Sequence, residues 1–492
     1  LQTREKKALL WTFMDVVGGQ GIPFLAFLII ARLIGPEQYG VFAIAMALIG
    51  LMNVVLYHGI ADALIWVEDP GPSRTSTVFW MNLLLAAAIF LAIQGLAGWL
   101  AAVYHAPIIE PVLRWIAFLA PLQALMSVQI ALFLRNLDTA VLARRTIVGR
   151  IAGVVVGIAL AAADWGVWSL VALQLTQTVV SVVILWTATS WRPRFIFNLK
   201  QGRELARFGF CFMGGSFATA LSNSVDSLIV GLFFPPDAVA CYVLASRLLD
   251  MASTVLLTPM RMLVMPILSR NTAHRGVFTS SYDMMVRSTL AIWMPMLLAL
   301  GIGAEVFVLA LLGPQWSGAV GILQAMCLVA FTLPLSFFAG SALSAAGRPD
   351  LFFKLATAKL LTVSIFIVIG AQFSLTAVGF AWSGAFACIV PLCLFTLQKA
   401  CGVNWTVGTK SALRIAAAGL GFAVCALVTI NWMAAYDWPM LLSLLSGIGL
   451  GFVVYAVLLE YVLLPGFVRT ALKEIRIFFV RAAPETERAS GA

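Results

Sequence analysis

Residues 208–270 read FGFCFMGGSFATALSNSVDSLIVGLFFPPDAVACYVLASRLLDMASTVLLTPMRMLVMPILSR. Two long apolar runs flank the turn Phe234-Pro235-Pro236-Asp237, and both runs carry a polar stripe. At about 100° per residue, Ser216, Thr219, Asn223, Asp226 and Ser227 share roughly 100° of arc on the first helix. On the second helix, Arg247, Asp250, Thr254, Thr258 and Arg261 share roughly 80° by the same geometry. An ionisable group inside an apolar span costs about 2.5–3.5 kcal/mol on insertion scales. Such groups are tolerated facing one another or a hydrated cavity, not facing lipid, so this hairpin is a candidate transport pathway.

Working outward, the same apolar character fills the chain. Of 492 residues, 62% are hydrophobic and only 11% charged, against about 25% charged in a soluble domain. Apolar windows of about 20 residues recur throughout, the signature of helical spans rather than of a barrel. The expected fold is an all-α integral membrane protein of about fourteen transmembrane helices. They are placed near 8–33, 41–66, 78–102, 112–134, 146–163, 166–188, 208–233, 238–267, 287–311, 319–345, 352–372, 376–399, 411–432 and 440–464. With the N-terminus inside, every Lys and Arg except Arg32, Arg114, Arg247 and Arg261 falls on the inner side, out of 31 in all. That asymmetry fits the positive-inside rule and places both termini in the cytoplasm. It also accounts for the net charge of +10 without a nucleic-acid partner. The basic start (Arg4, Lys6, Lys7) runs into more than a signal-peptide length of apolar sequence, so a retained first helix is expected.

A weak repeat divides the chain. Pro36, Glu37, Phe42 and Ala45 align in order with Pro236, Asp237, Tyr242 and Ala245, and Pro107 aligns near Pro314. The division is an N-terminal six-helix lobe (1–190), a cytoplasmic linker (191–207), a second six-helix lobe (208–400), helices 13–14 (401–465) and a cytoplasmic tail (466–492). Six spans per lobe bring both lobes in from the same side, a parallel pseudo-twofold repeat. The linker, basic and interleaved with Phe195, Ile196 and Phe197, is expected to lie on the inner leaflet and tether the lobes without rigidly fusing them. In the tail, Arg469, Lys473 and Arg476 alternate with Phe467, Leu472 and Ile475, the pattern of an interfacial amphipathic helix.

Catalytic machinery is not legible. The seven cysteines form no CxxC or Cys/His cluster, so neither a disulfide framework nor a metal is inferred. No nucleotide loop, nucleophile elbow or zinc-protease motif is present. Outer loops are short, which disfavours a membrane-embedded glycan polymerase or ligase. No catalytic residue and no cofactor is expected.

Four motifs carry a family resemblance: Ala31-Arg32-Leu33-Ile34-Gly35-Pro36-Glu37-Gln38-Tyr39-Gly40-Val41-Phe42-Ala43-Ile44-Ala45, Asp226-Ser227-Leu228-Ile229-Val230-Gly231, Leu311-Leu312-Gly313-Pro314-Gln315-Trp316 and Ala346-Gly347-Arg348-Pro349-Asp350. Together they resemble the polysaccharide transporter family of the multidrug/oligosaccharidyl-lipid/polysaccharide exporter superfamily, over residues 8–400. One departure is Phe234-Pro235-Pro236-Asp237, where the family commonly has a glycine-containing turn. The resemblance implies a flippase in the bacterial cytoplasmic membrane. Its substrate would be a polyprenyl-diphosphate-linked oligosaccharide, moved to the outer leaflet for O-antigen, capsule or exopolysaccharide assembly. Membrane lipid, a glycan polymerase and chain-length or export proteins are the implied partners.

The diphosphate needs basic groups where water is scarce. Arg247 and Arg261 are the leading candidates, about 21 Å apart along one stripe at 1.5 Å per residue, so they would act at different depths or in different states. The plainer alternatives are a lock between Arg247 and Asp250 and snorkelling of Arg261. Asp226 either attracts a coupling cation, balances Arg247 or anchors the hairpin, and Asn223 lies on its stripe. Asp15 precedes Gly18, Gly19, Gly21 and Pro23, an irregular helix that points either to a cavity or to close helix packing. His58 and Asp62, at i and i+4, form a candidate titratable pair. Arg32 and Arg114 lie near the outer surface, as release-side phosphate ligands or as interfacial anchors. A cation-coupled multidrug exporter of the same superfamily is the alternative function, and a non-transporting scaffold for glycan enzymes is a third reading.

Overall fold

The computed structural model describes residues 2–57, 64, 71–136, 138–198, 200, 202–203, 221, 224–270, 275–402, 405–436 and 438–463. Side chains are described within these ranges except mainly at 2–20, 51–57, 255–256, 258–270 and 405–408. Among the described residues the chain is all-helical. Ten helices are long and apolar enough to cross a membrane, or eleven if one bent pair counts as a span. This is a multi-span membrane protein.

The first element, α1 (Gln2–Tyr57), is a helical run broken at Gly35, whose φ of 76° and ψ of 170° lie outside helical space. A positive φ is cheap only without a Cβ, and Pro36 follows at once, so the break is where the sequence analysis separates two spans. Then come α2 (Gly71–Val103), α3 (Ile109–Ile116), α4 (Leu119–Arg135), α5 (Thr139–Ala162) and α6 (Val167–Ala188). The expected 112–134 span is thus α3 and α4, parted at Ala117–Phe118. Helix α5 begins at Thr139, not near 146, so Arg144 and Arg145 lie on the helix and not in an inner loop. Asp138 occupies the N-cap position directly before Thr139, without a side-chain capping bond, and no proline interrupts the run from there to Ala162.

The next elements are α7 (Ser224–Phe233), α8 (Pro236–Arg270), α9 (Arg275–Ile302), α10 (Ala304–Leu312), α11 (Gly318–Cys327), α12 (Leu333–Phe337), α13 (Ala339–Ala345), α14 (Pro349–Ala371), α15 (Leu375–Cys401), α16 (Trp405–Ala434) and α17 (Met440–Val457). The expected 319–345 span is bent by 61° between residues 331 and 333. Pro334 occupies the first turn of α12, where its missing N–H costs nothing but cannot continue the preceding helix. Within the bend's approach, the Ser383 hydroxyl donates to Ala325 O at 2.8 Å and reaches Met326 O at 3.2 Å. Both carbonyls lie in the last turn of α11, where intrahelical donors run out, and the hydroxyl supplies one.

The chain forms two compact units. One comprises residues 1–247, 308–322 and 356–381; the other comprises 248–307, 323–355 and 382–492. In the second unit, α16 and α17 pack through small residues. A Cβ on Gly447 would lie 2.9 Å from Ala426 O, and one on Gly451 would lie 3.0 Å from the Phe422 ring. Tyr455 donates its hydroxyl to Ala291 O at 3.0 Å, tying this terminal pair to α9. Close backbone approach of this kind is what holds helices together when lipid removes the hydrophobic incentive.

Candidate anion-binding cavity in the first unit

The site is built from the first-hairpin motif upward. Gln38, three residues past the Gly35 break, presents Oε1 to the Val167 N–H at 2.7 Å. It supplies an acceptor to one of the orphan donors at the start of α6. Gly166, at φ 55°, allows that approach: a Cβ there would sit 1.7 Å from Gln38 Oε1. Gly40 lies so close to the second hairpin's turn that a Cβ would stand 1.6 Å from Pro236 O. Between these two fixed residues, Tyr39 is buried at 2% exposure, edge-on to Trp316 with ring centroids 5.8 Å apart and edge-on to Phe27 at 5.1 Å. Trp316 in turn donates its indole N–H to Ala31 O at 3.1 Å, and Gln315 donates to Arg32 O at 2.9 Å. The first and third motifs of the sequence are therefore two halves of one interlocked corner.

A second device sets the opposite wall. Gly149, Gly153 and Gly157 recur every four residues along one face of α5. A Cβ on Gly153 would lie 2.6 Å from Leu173 O, and one on Gly149 would lie 2.6 Å from Ser181 Oγ. Helices α5 and α6 thus meet backbone to backbone, which sets Arg150 and Val154 beside Leu173, Gln174 and Gln177.

Between the walls lies a cavity of about 230 Å³. Its polar lining comes from Arg150, Arg247, Gln174, Gln177 and Tyr39, over an apolar floor that includes Phe27, Ile30 and Phe42. Arg247 reaches it from α8. Its guanidinium carbon stands 5.1 Å from the Phe27 ring centroid and 5.9 Å from that of Tyr39. Cation–π contact of this kind offsets part of the desolvation of a guanidinium and holds it in place. The described lining contains no aspartate or glutamate. Two guanidiniums and two carboxamides among the described lining residues give the cavity several N–H donors, which suits an anion with several oxygens.

The other sequence candidates fall elsewhere. Asp226 accepts from the Tyr242 hydroxyl at 3.1 Å and from the Ser227 N–H at 2.8 Å, which supports the anchoring reading. Asp226→Ala is expected to lower accumulated protein severalfold, since taking away the acceptor that the buried Tyr242 hydroxyl and the Ser227 N–H donate to costs about 1–3 kcal/mol. Transport per molecule should stay near wild type; full abundance with lost transport would instead mark a coupling residue. Arg114 is paired with Glu110 at 2.7 Å, one turn away on α3. Exposed Arg32 approaches Ala310 O at 3.5 Å, at the corner just described. Asp250 lies on α8 and is exposed. Asn223, His58 and Asp62 lie outside the described residues, as do the side chains of Asp15 and Arg261.

Arg150, Gln174, Gln177 and Tyr39 were not singled out from sequence. Arg150 is counted there among the inner-side charges, at the inner end of the expected 146–163 span, and not as a lining residue. A signal for the glutamines exists: they are i and i+3 within an otherwise apolar span, where a carboxamide needs a polar neighbour.

The fold and the chain both have known counterparts. The chain is 24% identical over 460 residues to the succinoglycan biosynthesis transport protein ExoT of Rhizobium meliloti, covering 91% of each chain. It is 20% identical over 370 residues to the lipopolysaccharide biosynthesis protein WzxC of Escherichia coli, covering 74% of each. Among solved structures it resembles the lipid II flippase MurJ in an inward closed conformation, with a TM-score of 0.73 at 16% identity, over 92% of this chain and 98% of that one. It also resembles an inward-facing multidrug-resistance MATE transporter of the MOP superfamily, with a TM-score of 0.65 at 14% identity, over 80% of this chain and 98% of that one. The family model described as "Polysaccharide biosynthesis protein" matches residues 29–321, which begin just before the corner and take in both walls of the cavity and Arg247, so the chain belongs to that family.

Proposed function

We propose that the protein is a flippase that carries polyprenyl-diphosphate-linked oligosaccharide units from the cytoplasmic to the outer leaflet, for surface polysaccharide assembly. The observation that carries the reading is the cavity in which Arg150 and Arg247 converge without a carboxylate in its described lining. Guanidinium groups bind phosphate oxygens through paired N–H donors, each such bond contributing roughly 1.5–3 kcal/mol. The glutamine amides offer further donors to non-bridging oxygens or to the first sugar. Family membership agrees, as do relatives named for succinoglycan transport and lipopolysaccharide biosynthesis. On this reading the protein moves its cargo without chemical change and is no enzyme.

The finer architecture belongs to the same proposal. Fourteen spans follow if the two arms of α1 count separately, the bent pair counts once, and the 208–233 and 238–267 segments both cross. The two lobes, 1–190 and 208–400, would alternate access to the substrate, with the prenyl tail remaining in lipid. The membrane would be the bacterial cytoplasmic membrane with both termini inside, and a glycan polymerase would take the product.

The test is genetic and chemical together. Deleting the gene should trap lipid-linked repeat units on the cytoplasmic leaflet while their synthesis continues. Unchanged glycan export combined with altered susceptibility to cationic drugs would favour the multidrug-exporter reading, although two arginines would repel a cationic drug from this cavity.

A further inference from the structure

The segment joining α6 to residues 200–203 is fastened along the beginning of α2. The backbone N–H of Arg194 donates to Ser76 Oγ at 3.0 Å, and that of Asn198 donates to Thr77 Oγ1 at 3.1 Å. Trp191 donates its indole N–H to Thr75 Oγ1 at 3.2 Å, and Trp80 donates its own to Arg194 O at 2.9 Å. Thr75, Ser76 and Thr77 are all buried beneath it. At the far end, Gly202 is buried against Met81, where a Cβ would come within 2.5 Å of the sulfur. The segment is therefore a strap with a fixed face, not a loose tether.

Its other face is amphipathic. Phe195 is 93% exposed, Phe197 50% and Ile196 38%, although Phe195 is stacked on Trp80 with an interplanar angle of 24°. Arg194, Lys200 and Arg203 are exposed beside them, and residues 189–203 contain no acidic side chain. Arg192 plays another part, donating to Trp186 O, Thr189 O and Trp191 O at the C-terminal end of α6. The strap sits where two spans end, at Ala188 and at Gly71, so its depth is that of the lipid headgroups. By the charge asymmetry of the chain, that end faces the cytoplasm.

We propose that this strap is a binding surface for anionic phospholipid headgroups of the inner leaflet. Phe195, Ile196 and Phe197 would enter the headgroup–acyl boundary, while Arg194, Lys200 and Arg203 take the phosphates. Aromatic insertion beside clustered basic residues is the chemistry by which interfacial segments select anionic over zwitterionic lipid. The seryl and threonyl staples fix the strap's backbone at Arg194 and Asn198, on either side of Phe195, Ile196 and Phe197, which a free linker would lack. The inference does not depend on what cargo the protein carries.

The experiment uses the full-length purified protein, titrated with phosphatidylglycerol or phosphatidylcholine and read by native mass spectrometry. Wild type should retain phosphatidylglycerol severalfold over phosphatidylcholine. The Arg194→Gln/Lys200→Gln/Arg203→Gln protein should lose most of that preference, and Phe195→Ser/Phe197→Ser should lower retention of both lipids. In a measurement needing no variant, tryptic cleavage after Arg194 and Lys200 should slow several-fold in nanodiscs of phosphatidylglycerol relative to phosphatidylcholine. An unchanged preference in the triple variant, or equal cleavage in the two nanodiscs, overturns the proposal. So does loss of a cytosolic protein partner from the triple variant while its lipid preference stays intact.

Discussion

Arg150→Ala/Arg247→Ala is expected to abolish export of surface polysaccharide while the protein still accumulates in the membrane. Each guanidinium reaches the same cavity from a different helix, Arg150 from α5 and Arg247 from α8. Removing one charge-assisted pair from a phosphate ligand costs roughly 1.5–3 kcal/mol, or about ten- to a hundredfold in affinity. Each single variant should therefore reduce export by about tenfold or more, and the double variant should fall below detection. Arg247→Lys should restore little, because an ammonium lacks the planar fork and stacks less well on Phe27 and Tyr39. The control is Arg114→Ala, whose guanidinium is already paired with Glu110 on the helix surface; it should stay within about twofold of wild type, as exposed pairs contribute little. Surface glycan and inner-leaflet lipid-linked units would be quantified together. Normal export from the double variant would remove the cavity from the transport route.

Among the described glycines, Gly40→Ala should be the most damaging addition of a methyl group. The new Cβ would lie 1.6 Å from Pro236 O and 2.3 Å from its carbonyl carbon. The obstruction is backbone, so no side chain can swing aside. Overpacking typically costs 1–3 kcal/mol, and a rigid obstruction should exceed that range, at roughly 3 kcal/mol or more. Membrane-integrated protein should fall sharply, and the thermal midpoint of what remains should drop by several degrees. Gly95→Ala, where nothing lies within 4 Å, is the matched control. It removes a helix-interior glycine and should be neutral or stabilising by up to about 1 kcal/mol. Equal behaviour of the two variants would mean that the two hairpin turns do not meet as described.

These two variants show unequal legibility. The Gly40 contact is half-written in the sequence: Pro36 and Pro236 align in the repeat, marking corresponding turns, but nothing in a linear pattern says that the turns touch. The motifs themselves were readable as family marks, and their physical meaning came from packing. Gln38 satisfies the start of α6, Trp316 holds Ala31 O, and Asp226 holds Tyr242. They are joints of the scaffold, which is why they identify the fold and say little about the sugar carried.

The sequence by itself determined that this chain is helical, crosses a membrane many times and belongs with polysaccharide transporters, because apolar run length, charge asymmetry and turn chemistry are local properties. It also picked out Arg247, since a charge inside an apolar stripe is costly wherever the stripe points. Only the tertiary structure decided what Arg247 faces. Its partners Tyr39, Arg150, Gln174 and Gln177 come from three other helices, brought together by a glycine seam between α5 and α6 and by a capped corner after Gly35. The four-residue spacing of Gly149, Gly153 and Gly157 is visible in the sequence, but which helix that face meets, and what the contact brings beside Arg247, is a long-range, three-dimensional fact. The 208–270 hairpin thus holds one half of the cavity's charge, and the other half sits nearly a hundred residues earlier in the chain.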